Sequence, residues 1–237
     1  SLVGSEMCIR DRDDADIDLA VACAANGAFG GTGQKCTASS RLIVHDAVHD
    51  EFVEKLVAAT RAMTVGHALA AGTQIGPVVS EGQLAANLDY MDIARKEGGE
   101  VLCGGDRLTL SHDGYYMAPA VIAGTGNDWR INREEMFAPI ACVIRAGSYD
   151  EALAISNDTD FGLTAGIMTR SLARAGDFRR RAETGVVMVN LPTAGTDYHV
   201  PFGGRGDSSY GPREQGQYAV EFFTSTKTAY ISTGPAS

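Results

Sequence analysis

Cysteine is scarce and scattered in this chain. Cys8, Cys23, Cys36, Cys103 and Cys142 make an odd number among 237 residues, and no two of them stand as C-x-x-C. That spacing excludes a disulfide framework and a structural zinc site, and it fits a reducing, cytoplasmic setting. Basic residues are few as well. Twenty Lys and Arg against thirty Asp and Glu leave a formal net charge of -10, so the basic footprint that nucleic acid requires is missing. No apolar run approaches the ~20 residues that span a bilayer, and no charged leader precedes an apolar core of the secretory kind. Nucleic acid and membrane partners are therefore not expected. What remains is a composition of 44% hydrophobic and 21% charged residues, ordinary for a globular protein. The length suffices for one large domain or two small ones.

Short apolar strands alternate with amphipathic helices along most of this length. The segment "DDADIDLAVACAANGAFG" opens on acidic residues that suit a helix N-terminus, and apolar positions recur at Ile17, Leu19, Ala20, Cys23 and Ala24. "RLIVH" predicts a strand over 41–45, and "DEFVEKLVAATRAM" a helix over 50–63 with Asp46 placed to cap it. Another helix follows in "SEGQLAANLDYMDIARKEG", behind Ser80 as its cap. "EVLCGG", "YYMAPAVIAG", "APIACVIRAG" and "GLTAGIMTR" read as strands, "GVVMVN" as a buried strand, and "YDEALAISND" and "LARAGDFRRRAETG" as helices. The pattern predicts an α/β fold with a largely parallel sheet flanked by helices. Cys23, Cys103 and Cys142 sit in apolar company and read as core.

Both ends depart from this pattern. "AVEFFTSTKTAYIST" alternates like a strand with nothing after it to pair with. It is expected either to complete the sheet of another subunit, making the chain an oligomer, or to add to its own sheet. The opening "SLVGSEMCIRDR" carries no helical or strand period. Residues 1–12 are expected to be a leader foreign to the protein, or else a frayed terminus.

Cys36 is unlike the other cysteines. It lies in "GGTGQKCTASSR", among three glycines and a run of short hydroxyl side chains. A nucleophilic thiol needs thiolate character, N–H donors close to the sulfur and room for substrate. Gly30, Gly31 and Gly33 permit unusual backbone angles, and a turn after them could aim the Cys36 N–H at a developing oxyanion. A half-buried loop cysteine would have the same neighbours. Lys35 could steer an acidic substrate or lower the thiol pKa, or could simply be solvated. In "EEMFAPI", Glu135 could accept from paired ribose hydroxyls while Phe137 lies against a flat ring. A turn leading into a strand, with a core phenylalanine, would use the same residues. "PFGGRGDSSYG" supplies a second glycine-rich loop, after the strand that ends at Asn190. His45 and His49, at i and i+4, could suit a metal, but a strand-to-helix junction explains them without one, and no metal is expected.

Five segments in this order, "GQKCTASSR", "EEMFAPI", "NDTDFGLTAGIMTRS", "GVVMVN" and "PFGGRGDSSYGPREQG", together resemble the catalytic half of the NAD(P)-dependent aldehyde dehydrogenases. The resemblance runs from about Asp13 to the C-terminus. It implies a catalytic domain over residues 13–216 and a tail, residues 217–237, carrying an oligomerisation strand of a dimer or tetramer. "VNLPTAGTDYHVPFGG" looks most like the branch acting on 2-oxoglutarate semialdehyde, also called 2,5-dioxopentanoate. The resemblance further implies that Cys36 attacks the aldehyde carbon while its own N–H helps hold the oxyanion. Hydride would pass to NAD or NADP, and water would release the acid from a thioester. Glu135 would hold the nicotinamide ribose and Phe137 would border the ring. Phe202, Lys35 and Thr37 would line the substrate pocket, and Asn190 would satisfy backbone groups at the end of its strand.

The departures from that family are as informative. Its general base lies in a glutamate-leucine-glycine-glycine segment whose spacing falls near Leu2, where no such motif stands and Glu6 is the only carboxylate. Its oxyanion asparagine, and the lysine and glutamate that grip the adenosine ribose, belong to the cofactor-binding half that the resemblance does not cover. The chain is expected to be a fragment with little or no turnover by itself. Alternatives are a dehydrogenase of succinate or another semialdehyde, a cysteine acyl-transfer enzyme with His199 as its available base, and a non-catalytic assembly module.

Overall fold

A computed structural model describes residues 5–9, 15–232 and 234. Strand β1 (Ser5–Ile9) leads through α1 (Ile17–Phe29) and a 3-10 turn (Gly30–Gly33) into β2 (Ser39–His45), α2 (Asp46–Arg61) and α3 (Glu81–Glu97). Next come β3 (Glu100–Cys103), a hairpin of β4 (Arg107–Leu108) and β5 (Tyr116–Met117), and β6 (Ala120–Ala123). After the short α4 (Arg130–Arg133) follow β7 (Ile140–Ala146), α5 (Tyr149–Asn157), β8 (Phe161–Gly162), β9 (Thr164–Met168), α6 (Leu172–Arg181) and β10 (Val186–Val189). The last elements are β11 (Arg205–Gly206) and α7 (Tyr218–Phe223).

Seven strands form one sheet in the order β10-β9-β1-β2-β7-β6-β3. All neighbours are parallel except β3, which runs antiparallel to β6. Period-two alternation sorts the side chains between the two faces. Leu42 and Val44 of β2, Ala141 and Val143 of β7 and Val121 of β6 pack with Ala24, Phe29, Phe52 and Leu56 of α1 and α2. Ile43, Ile144, Ala165 and Ile167 turn the other way, onto Tyr149, Leu153 and Phe178 of α5 and α6. Farther along that second face, Leu84 and Met91 of α3 meet Ile122 and Ile140. Helix starts are fixed by side-chain oxygens: Asp16, Ser80, Ser148 and Ser171 each accept from the N–H three residues on.

Parallel pairing also decides where the motifs meet. Arg41 of β2 stands opposite Cys142 of β7, so the loops leading into these adjacent strands arrive at the same edge of the sheet. The segment leading into β9 reaches that edge too, and β11 pairs antiparallel with β8 there, carrying the second glycine-rich loop with it. Three segments far apart in sequence are thereby gathered.

Several expectations need correction. The opening stretch, expected to belong to no element, supplies β1, paired on both sides by β2 and β9. Among the described residues, the tail adds no strand to this chain's own sheet. Tyr218–Phe223 is helical, and the described residues after it pair with no strand. A strand without a ladder partner leaves its backbone groups unpaired, and local helical bonds satisfy some of them. Helix α2 begins four residues before the expected start, and its cap is the His45 ring, whose Nδ1 accepts from the Ala47 N–H, not Asp46. "YYMAPAVIAG" is split around Pro119, which has no N–H for a ladder. β10 is half-buried because it is an edge strand, and Cys103 is half-buried at the opposite edge, whereas Cys23 and Cys142 are buried as expected.

Candidate active site

Cys36 occupies a tight turn between the 3-10 turn and β2, closed by the Ala38 N–H donating to the Lys35 carbonyl (3.0 Å). Just upstream, Gly31, Thr32 and Gly33 all take left-handed backbone angles, with φ of 66°, 63° and 66°. A β-branched residue rarely adopts that conformation. Thr32 is held in it by its hydroxyl, which donates to the Gly76 carbonyl (3.2 Å). Gln34 reaches the same neighbouring segment, its Oε1 accepting from the Val79 N–H (3.0 Å). At Gly33 a Cβ would drive into the Ala138 carbonyl, so the absence of a side chain lets the thiol loop lie directly on the Glu135–Pro139 segment.

The thiol is half-buried, and the N–H groups of Cys36 and Thr37 are directed at its sulfur. Burial pushes its pKa above the ordinary cysteine value, the two N–H groups partly offset that rise, and the carboxylates of Glu135 and Glu214 add to it. Cys36 is therefore a protonated thiol at neutral pH, held among groups that respond to charge on its sulfur.

Two adjacent glutamates have different fates. Glu134 bonds Arg130 (2.7 Å) and accepts from the Tyr90 hydroxyl (3.1 Å), and Arg130 in particular holds its pKa down. Glu135 has neither of these partners, and burial raises its pKa. Phe137 has φ of 51° and is 36% exposed, a non-glycine residue kept in a strained conformation with its ring at the surface. Lys35, Ser39, Ser40, Glu135 and Phe137 line one cleft. It encloses only about 20 Å³, room for a single water, so a larger ligand would rest across this surface and not inside it. A carboxylate beside an exposed aromatic ring fits a ligand that offers a diol and a flat ring. Larger cavities lie elsewhere: about 490 Å³ along β10 and the loop after it, about 480 Å³ between α1 and α2, and about 450 Å³ beside the β4–β5 hairpin. None of the three is lined by Cys36, so chemistry and not volume marks the site.

The remaining candidates are distributed unevenly. The Lys35 stem folds back over Gly31, where a Cβ would sit 2.8 Å from its Cε. Thr37 is buried, and its carbonyl accepts from the Thr193 hydroxyl (2.9 Å). Its amide, not its side chain, faces the sulfur. Phe202 is half-buried and shares two backbone bonds with Glu214 (2.7 and 2.8 Å), which brings that loop to the thiol through the Glu214 charge. Asn190 does what was expected of it: its Oδ1 accepts from the Thr169 N–H and its Nδ2 donates to the Thr169 carbonyl, each at 2.9 Å. His199 is exposed and rests against Tyr198. His49 bonds Asp50 (2.9 Å), and no cluster of three metal-ligating side chains occurs among the described residues. Glu214 and Thr193 were not singled out from the sequence, because both reach the thiol only through the folding of the loops after β10.

Fold and cluster together define the class, an α/β domain that carries a cysteine turn where the chain enters β2 of its largely parallel sheet, beside a cleft lined by Lys35, Glu135 and Phe137. The signature described as "Aldehyde dehydrogenase family" matches residues 8–229, and the chain belongs to that family. It is 39% identical over 221 residues to the alpha-ketoglutaric semialdehyde dehydrogenase of Bacillus subtilis (strain 168), covering 92% of this chain and 45% of that protein. The alpha-ketoglutarate semialdehyde dehydrogenase of Haloferax volcanii is 43% identical over 225 residues, covering 93% of this chain and 46% of that protein. Among solved structures, the NAD+ complex of an aldehyde dehydrogenase from Bacillus cereus superposes with a TM-score of 0.91 at 30% identity, covering 98% of this chain and 46% of that one. The chain thus spans about half the length of the curated relatives it matches.

Proposed function

We propose that this chain carries the nucleophile and part of the nucleotide surface of an NAD(P)-dependent dehydrogenase that oxidises 2-oxoglutarate semialdehyde to 2-oxoglutarate. The observation that carries this reading is the turn at Cys36, which directs two amides at a half-buried sulfur beside Glu135. Those amides oppose the effect of burial on the charged sulfur, and they stand ready to share the charge of an oxyanion formed next to it. The Cys36 sulfur bonds to the aldehyde carbon as its proton leaves to solvent or a base, and the C=O π pair becomes the oxyanion of a thiohemiacetal alkoxide beside the two amides. Bound nicotinamide supplies the hydride acceptor. Loss of hydride from the former aldehyde carbon leaves a thioester on Cys36, and addition of water breaks the C–S bond, releasing the acid and restoring the thiol.

Glu135 accepts hydrogen bonds from the ribose diol, and Phe137 presents its exposed ring to the nicotinamide. Phe202 walls the aldehyde side, and there an apolar surface limits premature access of water. Lys35 and Thr37 contribute through the backbone of the thiol turn. Activity belongs to this chain together with the half of its relatives that it does not cover. That half would hold the general base, the second oxyanion donor, and the grip on adenosine. The names of the Bacillus and Haloferax relatives support the choice of substrate. The exposed apolar side chains of Val220, Phe223, Tyr230 and Ile231 support a homo-oligomer, dimer or tetramer, and the odd number of cysteines with no C-x-x-C pair supports a cytoplasmic setting.

The test joins the uncovered half of the Haloferax volcanii relative to this chain and follows reduced nicotinamide. Cys36→Ser should lower kcat by at least about a thousandfold, and Glu135→Gln should raise KM for the nucleotide. Full activity of Cys36→Ser would overturn the proposal. A higher kcat/KM for succinate semialdehyde than for 2-oxoglutarate semialdehyde would overturn the substrate alone.

A further inference from the structure

The peptide that links Thr37 to Ala38 is fixed at both of its polar ends. Its N–H donates to the Lys35 carbonyl (3.0 Å), and its carbonyl accepts from the hydroxyl of Thr193, 156 residues away (2.9 Å). Thr193 is fully buried, and its Oγ1 lies 2.6 Å from the Ser39 Oγ, which is also buried. A hydroxyl has one proton. Since Thr193 gives its proton to a carbonyl, the Ser39 hydroxyl must be the donor in the second contact. The order is therefore Ser39 O–H to Thr193 O–H to the Thr37 carbonyl, and each bond in such a chain polarises the next. Gly27 of α1 makes room for it, because a Cβ at that position would lie 2.7 Å from the Ser39 Oγ.

We infer that Thr193 is a positioning residue for Cys36: its hydroxyl, backed by Ser39, anchors the peptide behind the thiol so that the Cys36 and Thr37 amides face the sulfur. Without the Thr193 hydroxyl, the Thr37 carbonyl has no partner in the buried space where it lies, and it would rotate toward water. Such a rotation turns the preceding peptide, whose N–H belongs to Thr37, away from the sulfur. The inference deepens the proposed function, since it concerns the same thiol, but it concerns how that thiol is held and not what it attacks.

Alkylation of this chain by iodoacetamide, read cysteine by cysteine through peptide mass spectrometry across pH, separates positioning from packing. Thr193→Val removes the hydroxyl at nearly constant volume, and Thr193→Ser keeps it. Loss of an oriented donor should slow Cys36 alkylation roughly three- to tenfold at fixed pH and move its profile to higher pH. Thr193→Ser should stay within about twofold of the unaltered chain, and the half-buried Cys103 should keep its rate in all variants. If Thr193→Val does not fold, Ser39→Ala, which removes only the outer donor, should give a smaller shift in the same direction. An unchanged Cys36 profile in the folded variant, or a Thr193→Ser chain as slow as Thr193→Val, overturns the inference. The assay contains neither aldehyde nor nucleotide, so its outcome is independent of whether the restored enzyme oxidises the proposed substrate.

Discussion

Gly33 combines a φ of 66° with a position where any Cβ would meet the Ala138 carbonyl, and the thiol loop docks through it. Gly33→Ala should therefore lower stability by on the order of 3 kcal/mol in urea unfolding, from backbone strain and lost contact together. An unaltered midpoint would show that the loop does not rest on the Glu135–Pro139 segment. Charge near the sulfur gives a second expectation with the opposite sense. Glu135→Gln removes a like charge, so the Cys36 pKa should fall and its alkylation at pH 8 should quicken by about two- to fivefold. Glu134→Gln should leave that rate alone, because Glu134 is engaged with Arg130 and Tyr90. Cys36, Glu135 and Phe137 could be singled out as candidates from the sequence because each lies in a short contiguous motif. Thr193 and Glu214 were not, since no local period connects residues that meet only after the β10 loops fold back across more than half the chain.

Elements were read well where period and cap agree. Helix α3 has Ser80 accepting from the Gln83 N–H, the cap read from the sequence, and it ends at Gly98 in a left-handed C-cap. Ser80→Ala should accordingly cost about 1 kcal/mol of stability, whereas Asp92→Ala, which breaks the exposed pair with Arg95, should cost less than about 0.5 kcal/mol. Equal costs for the two would mean that the cap is not closing the first turn. The start of α2 was misread because an imidazole does the capping, a role composition does not advertise. At the tail, alternation described side chains faithfully but said nothing about a ladder partner. A strand is a property of two segments, and only one was visible. The same reasoning explains β1, whose place between β2 and β9 is set by the neighbours' register and not by any period of its own.

Taken as a whole, the molecule has a sheet whose middle layer contains a titratable group with no solvent, and that sets its response to alkali. Cys142 lies at the centre of β7, opposite Arg41, and burial pushes its thiol up to about 12. In the unfolded chain a cysteine ionises near the ordinary value of 9.0. Between these limits the unfolded state gives up a proton that the native state retains, so stability falls as pH rises, by about 1.4 kcal/mol per pH unit for this one group. Arg41 pulls the other way: burial and then the neighbouring Arg133 lower its pKa to about 9, which leaves it largely protonated at neutral pH. Comparing Cys142→Ala with the unaltered chain removes most of the Arg41 contribution, which both proteins carry and in which burial outweighs the charge of Cys142. At pH 7 the variant should be less stable by about 1 kcal/mol, from the lost sulfur packing. Above pH 9 it no longer has a buried thiol whose ionisation favours unfolding, so the gap should close within about one pH unit and then reverse. Urea unfolding at pH 7, 9 and 10.5 measures this directly, and parallel stability curves for the two proteins would show that the Cys142 thiol titrates in the native sheet as freely as it does in the unfolded chain.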